Sequence, residues 1–337
     1  MSSGDASAIS ADVLAPVVQQ RAEKFVAQQG GRVDGVGPRG GGRIRSWSVG
    51  LLFVLPAVLL AAVFVYYPAV SALWHSMFNW SGVGTGTFVG LNNFSQLAAD
   101  PVMRLAVINV LKLAAFSMVV SVVVPLPVAR VITSLRSTRA QYLWRVLFVI
   151  PFVIPNVVIY LVWQFLYDPN FGPLNKLLTL VGLPPQGWLG SPAEALYAVM
   201  GVGFPWVQGF ALLIFIAGIQ AIPRELIDAG RVDGCGAWKA FRHLELPLLK
   251  GQVRLVLILN MIWTIQGYTM IFILTLGGPV NATMVPGMYL YQNAFQNQQM
   301  GYASAIGVVM FVVSAVLTYL NLRYVKPAVD YSKERGR

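Results

Sequence analysis

Charge is what this sequence has least of. Asp, Glu, Lys and Arg make up 11% of its 337 residues, where an average soluble domain carries about 25%. With 56% of residues hydrophobic, so little charge cannot cover a water-exposed surface, and lipid has to act as solvent for much of the chain. One cysteine, Cys235, excludes an internal disulfide and a cysteine metal cluster. Two histidines, His75 and His243, are too few for a histidine metal site, so no metal is expected. Cys235 lies between Gly234 and Gly236 and reads as having no redox role; His75 reads as interfacial. There is no H-E-x-x-H, no G-x-S-x-G and no pair of intramembrane carboxylates, which argues against a membrane-embedded enzyme. There is no G-x-x-x-x-G-K-[ST] either, so the chain has no P-loop to cradle nucleotide phosphates and no cofactor of its own is expected.

What the sequence does have is long apolar runs, at 47–70, 105–132, 144–167, 195–220, 252–276 and 302–322. Each reaches roughly 20 residues, enough to cross about 30 Å of hydrocarbon as a helix. The expected fold is therefore an all-α integral membrane protein with six transmembrane helices. Lys112 sits near the outer end of the second run, where it can snorkel, and Pro125 and Pro127 should kink its inner end. No acid stands in the middle of the last four runs; Asp168 and Glu194 fall at outer ends. An ion-coupled transporter usually places such groups inside the bundle. A stand-alone facilitator needs none and stays open as a rival class.

The cations fix an orientation. With the N-terminus inside, only Arg104, Lys112 and Lys176 of the 24 Lys and Arg lie on the outer side. This positive-inside bias puts both termini in the cytoplasm and accounts for the +11 net charge without nucleic acid. Three regions result: a cytoplasmic tail 1–46, a membrane domain 47–326 and a tail 327–337. Ile9, Val13, Val17 and Phe25 share one face of a possible helix over 9–27, against the plainer reading of a loosely ordered tail. The outer segment 277–301 has no charged side chain but many Asn, Gln, Gly and Tyr, and 79–94 is similar. Such surfaces suit a neutral polar ligand or a partner's face.

One polar island, 222–247, separates the fourth and fifth runs on the inside. Pro223 can open a helix at its first position, with Glu225 and Asp228 in the turns where the dipole favours anions. Gly234, Cys235 and Gly236 break it. A second short helix is expected from Ala237 to Leu244, and Pro247 punctuates the return to the membrane. Leu226, Ala229, Trp238 and Phe241 give this elbow apolar anchors within a charged rim. It reads as a docking element for a separate protein, or more plainly as an interfacial connector.

At these residues the sequence resembles the permease subunits of ABC importers, in which an E-A-A-x-x-x-G…L-P elbow docks into an ATPase. Asp228, Ala229 and Gly230 stand at the E-A-A positions, Gly234 at the glycine and Leu246-Pro247 at the end. Asp replaces Glu, and Gly replaces the second Ala. The resemblance runs from about residue 50 to 322. It includes Phe88-Val89-Gly90-Leu91-Asn92-Asn93-Phe94, Asp168-Pro169 with Gly172-Pro173-Leu174-Asn175, and Leu276-Gly277-Gly278-Pro279. It is similar to the carbohydrate-uptake class, whose machinery also serves glycerol phosphate esters. The resemblance implies a type I importer fold in a bacterial or archaeal cytoplasmic membrane. It also implies a second homologous permease, two ATPase subunits carrying ATP and Mg, and an external solute-binding protein. Glu225, Leu226, Asp228, Ala229, Gly230, Gly234, Trp238, Phe241 and Pro247 are the implied coupling residues.

For the substrate pathway, sugars are held by aromatic faces with amides and hydroxyls beside them. The fifth run offers Asn260, Trp263, Thr264, Gln266, Gly267 and Tyr268, and the fourth offers Trp206 and Gln208. Thr264, Gln266 and Gly267 fall where the resembled family contacts substrate. Ordinary helix packing is the competing reading for the aromatics, and interhelical hydrogen bonding for Gln266.

Overall fold

The computed structural model describes residues 43–324. The expected helix over 9–27 and the tail 327–337 lie outside these residues. Chain contacts define two units, Met1–Tyr67 and Pro68–Arg337.

In the first unit, α1 (Arg43–Ala61) runs into a π-helical turn, Ala62–Tyr66. From Leu52 onward its large side chains are exposed, among them Leu52, Phe53, Leu59 and Phe64. A helix that is apolar on every side and exposed in isolation is built for lipid. It contributes to a candidate membrane span of 24 residues, Leu52–His75.

Among the described residues, the second unit's regular structure is helical apart from a two-stranded ribbon. After α2 (Tyr67–His75), β1 (Phe78–Asn79) pairs antiparallel with β2 (Thr87–Phe88) in the outer loop. Then come α3 (Asn92–Ala99), α4 (Pro101–Val123) and α5 (Pro125–Ser134). Pro125 interrupts the chain only at Val124, so α4 and α5 form one candidate span of 34 residues, Pro101–Ser134. After α16 (Pro286–Tyr291), the last helix among the described residues, α17 (Met300–Tyr324), supplies a third continuous span, Met300–Arg323.

The other three expected spans are broken, which hydropathy alone does not register. The run 144–167 divides into α6 (Thr138–Val153) and α7 (Asn156–Leu166), which diverge by 88°. Pro155 has no N–H to donate and drives Ile154 into an extended conformation. After α8 (Pro173–Leu180), the run 195–220 divides into α9 (Ala195–Gly201) and α10 (Gly209–Gln220). Between them Gly203 and Trp206 adopt left-handed backbone, with φ of +83° and +55°. The run 252–276 divides at Gly267 and Tyr268 into α14 (Lys250–Gln266) and α15 (Thr269–Leu274). Gly267 is extended, and a Cβ there would stand 2.7 Å from the Trp263 carbonyl oxygen. Up to six spans are present when three bent pairs each count as one: α6 with α7, α10 with Arg224–Gly230 at 74°, and Ala237–Leu248 with α14 at 64°.

Two apolar cores form at opposite ends of the α4–α5 helix. Met103, Ala106, Val110 and Leu113 of α4 pack with Leu196, Val199, Ile271, Met284, Met288 and Ile306. Leu126, Ala129 and Ile132 of α5 pack with Leu212, Phe215, Ile216 and Ile219 of α10. The outer loop is stitched onto the first core by buried polar groups. Asn109 Nδ2 donates to the carbonyls of Ala282 and Met284, each at 3.0 Å. Asp100 caps α4 by accepting from the N–H groups of Val102 and Met103, and its Oδ2 accepts from the hydroxyls of Tyr289 and Tyr302.

Candidate functional site

The elbow forms as two short helical pieces, α11 (Arg224–Val232) and α12 (Ala237–Ala240). Pro223 lies just before the first helix instead of inside it, and its carbonyl accepts from the Leu226 N–H. Gly234 adopts φ of +77°, and the Cys235 N–H returns to the Gly230 carbonyl at 2.9 Å, closing the helix by a left-handed cap. The second piece is longer than expected. It continues through a π-helical turn, Phe241–Glu245, into α13 (Leu246–Leu248). Pro247 sits within α13, and the break falls at Leu249, after which α14 departs at 64°.

Burial sorts the expected coupling residues into two groups. Glu225, Leu226, Asp228, Ala229, Gly234 and Trp238 are exposed, with Leu226 at 48% and Trp238 at 70%. Both are apolar side chains exposed on an otherwise polar segment. Gly230 is buried, while Phe241 and Pro247 are half-buried. Phe241 touches the Trp238 ring, at 5.7 Å between centroids, and also packs onto the second core. Sequence reasoning passed over Glu245, whose side chain is 1% exposed and pairs with Arg130 of α5, Nε to Oε2 at 2.6 Å. A signal was present: an acid between Leu244 and Leu246, at an otherwise apolar return to the membrane, needs a cation nearby.

Three of the expected pathway residues, Trp206, Asn260 and Thr264, gather around the middle of α4, while the others lie apart from it. Ser117 donates to Asn260 Oδ1 at 2.6 Å and lies 3.4 Å from the Thr264 hydroxyl. Its neighbour Phe116 meets the Trp206 ring edge-on at 5.6 Å. Trp206 is fixed further by its Nε1–H on the Met200 carbonyl. Phe210, two residues beyond Gln208, contacts Trp263 at 5.9 Å. Gln266, Gly267 and Tyr268 occupy the break between α14 and α15 and are exposed. Tyr268 stacks on Tyr291, with 5.7 Å between centroids and 18° between planes. Irregular backbone at membrane depth is tolerated where it lines a cavity or is buried in protein. Surface cavities of about 260 and 180 Å³ are present, one lined by Tyr167, Trp188 and Glu194, the other by Asn92, Gln96 and Gln299; no expected pathway residue lines either.

Apolar helices, a polar elbow and half-spans broken at membrane depth are the parts of a transport subunit. Residues 121–331 match the family of binding-protein-dependent transport system inner membrane components. The chain belongs to this family. It is 34% identical over 278 residues to a probable ABC transporter permease protein, YurN, of Bacillus subtilis, covering 82% of this chain and 95% of the relative. It is 33% identical over 282 residues to the diacetylchitobiose uptake system permease protein NgcF of Streptomyces coelicolor, covering 80% of each. Its fold matches a chain of a bacterial ABC transporter that imports the acidic polysaccharide alginate, with a TM-score of 0.72 and 21% identity, covering 84% of this chain and 97% of that one. This permease is thus a multi-pass component of the inner membrane and not an enzyme.

Proposed function

We propose that this permease carries a sugar or oligosaccharide inward, received from an external solute-binding protein and driven by ATPase subunits docked on its elbow. The observation that carries the reading is the split character of the elbow. Leu226 and Trp238 face outward on a polar segment, while Phe241, Leu246 and Leu249 hold it to the second core. A rigid element with an uncovered apolar face can pass a partner's movement into the bundle. A second, homologous permease completes the pathway, because the break at Gly267 and Tyr268 opens to the outside of this single chain. ATP and Mg belong to the ATPase subunits. The sugar assignment draws on the relation to the diacetylchitobiose permease and on the uncharged pathway side chains. The predominance of cations on the elbow side supports placing both termini in the cytoplasm. ATP closure of the ATPases then turns the permease pair outward, where the binding protein releases its sugar, and hydrolysis resets it.

The test is co-purification and coupled hydrolysis with Asp228→Lys combined with Trp238→Ala. The double variant should fold and insert but lose its ATPase subunits. Retention of both the ATPases and transport would refute the docking assignment.

A further inference from the structure

We propose that Glu245 and Arg130 are positioning residues for transport: their ion pair fastens the elbow to the inner end of the α4–α5 helix and passes elbow movement to the pathway. This rests on the elbow reading above. Most of the elbow's underside is apolar. Phe241, Leu246, Leu248 and Leu249 lie in the cluster of Leu126, Ala129, Ile132 and the α10 side chains. Such contacts are non-directional and allow sliding. The Glu245–Arg130 pair is instead a short contact between two specific charges, with Nε to Oε2 at 2.6 Å and side-chain exposures of 1% for Glu245 and 28% for Arg130. Both carboxylate oxygens are buried, and neither has a hydrogen bond of good geometry among the described residues, so the Arg130 charge is the compensation Oε2 has there. A buried carboxylate so poorly supplied depends on its cation, and leaving either partner alone is strongly unfavourable.

The local backbone supports the same assignment. The π-helical turn Phe241–Glu245 is closed by the Leu246 N–H on the Phe241 carbonyl. One extra residue in a turn rotates the downstream side chains by about 100° relative to a plain α-helix. Trp238, before the turn, faces outward, and Glu245, at its end, faces α5. Arg130 then connects to the polar seam through a continuous helical span, Pro101–Ser134, which carries Phe116 and Ser117. The distance along that helix is roughly 20 Å. A shift of the elbow is thereby tied to a shift of the helix that touches Trp206, Asn260 and Thr264.

The experiment uses the assembled importer with ATP as the probe. A reporter cysteine, Ser117→Cys in a Cys235→Ser background, is labelled with a thiol reagent in the nucleotide-free state and with Mg-ATP and vanadate. With the native pair, trapping should change the labelling rate by about tenfold. In Glu245→Gln and in Arg130→Gln the ATPase subunits should stay bound and hydrolyse ATP, while the change falls to within twofold. The neutral pair Arg130→Met with Glu245→Leu leaves no buried charge and keeps the test valid if the single variants fold poorly. It should also lose the change. Wild-type labelling behaviour in the neutral pair would overturn the proposal with the elbow reading intact. No nucleotide-dependent change in the native importer, with its ATPases bound, would overturn the elbow reading and the latch with it.

Discussion

Gly230 lies under Leu244: a Cβ added to it would stand 2.6 Å from Leu244 Cδ1. Helix propensity alone favours Ala here by up to about 1 kcal/mol, and Ala is what the resembled elbow signature carries. Packing opposes it, since Leu244 Cδ1 has to move aside, but that atom is the far end of a half-buried side chain. Gly230→Ala should therefore leave the thermal midpoint of the purified permease nearly unchanged while turning Leu244 aside and weakening ATPase retention. Adding Leu244→Ala to Gly230→Ala should restore retention. Size-exclusion profiles after a heating series, with ATPase stoichiometry, measure both.

Asp100 makes a second prediction, about pH. Burial raises the pKa of its carboxyl, but hydrogen bonds from Tyr289, Tyr302, Met103 and Val102 outweigh this and leave it below the ordinary value. A lowered folded-state pKa means that the stabilisation is complete above the unfolded-state value and is lost as pH falls through the folded one. Asp100 should thus add nothing to pH dependence between roughly pH 5 and 8, and should withdraw stability below about pH 4. Tyr289→Phe and Tyr302→Phe each remove a charge-assisted bond, at about 1.5–3 kcal/mol. Thermal midpoints at pH 7 should fall for each variant.

Asn109 tests how the outer loop is held. Its side-chain amide reaches the carbonyls of Ala282 and Met284 across the fold. Asn109→Leu leaves both acceptors without that donor inside a packed core, at about 1–3 kcal/mol for each group left unsatisfied. Hydrogen exchange should rise over residues 277–285 and change little in α10. Equal protection in variant and wild type would mean that the loop is held by Thr283 and its bonds to Thr275 and Gly278 instead.

How much of the molecule was legible in the sequence depends on the physics behind each signal. Hydropathy found six apolar runs because lipid exposure leaves long uninterrupted apolar stretches. It could not show that Gly203, Trp206 and Gly267 break two of those runs, because a backbone break changes no transfer energy in a sliding window. Turn chemistry found Gly234, where left-handed backbone favours glycine. Gly230 stands in the sequence where the resembled signature has Ala, and the reason, Leu244 lying over it, shows only in the packing. Glu245 was hidden for a different reason: its partner, Arg130, lies more than a hundred residues earlier, and only the packing of α5 under the elbow joins them.

The break at Gly267 and Tyr268 carries the last prediction. Tyr268 is held by stacking on Tyr291, which in turn contacts Phe272 and Phe295 at 5.1 Å each. Its ring is thus positioned by neighbours, while its exposure of 38% leaves it available to a ligand. Gln266, beside it, is exposed at the end of α14. If a sugar passes here, the ring supplies a face and the amide supplies hydrogen bonds. Tyr268→Phe keeps the stack and should retain most uptake. Tyr268→Ala and Gln266→Leu should each cut uptake roughly three- to tenfold, the loss expected of one hydrogen bond or apolar contact. Assembly with the ATPases should be unchanged, because none of these residues lies on the elbow. Uptake of labelled neutral oligosaccharides, diacetylchitobiose among them, into proteoliposomes holding the whole importer measures the effect. Transport at the wild-type rate and apparent affinity in both variants would place the pathway elsewhere, with the Ser117–Asn260–Thr264 seam then the first region to probe.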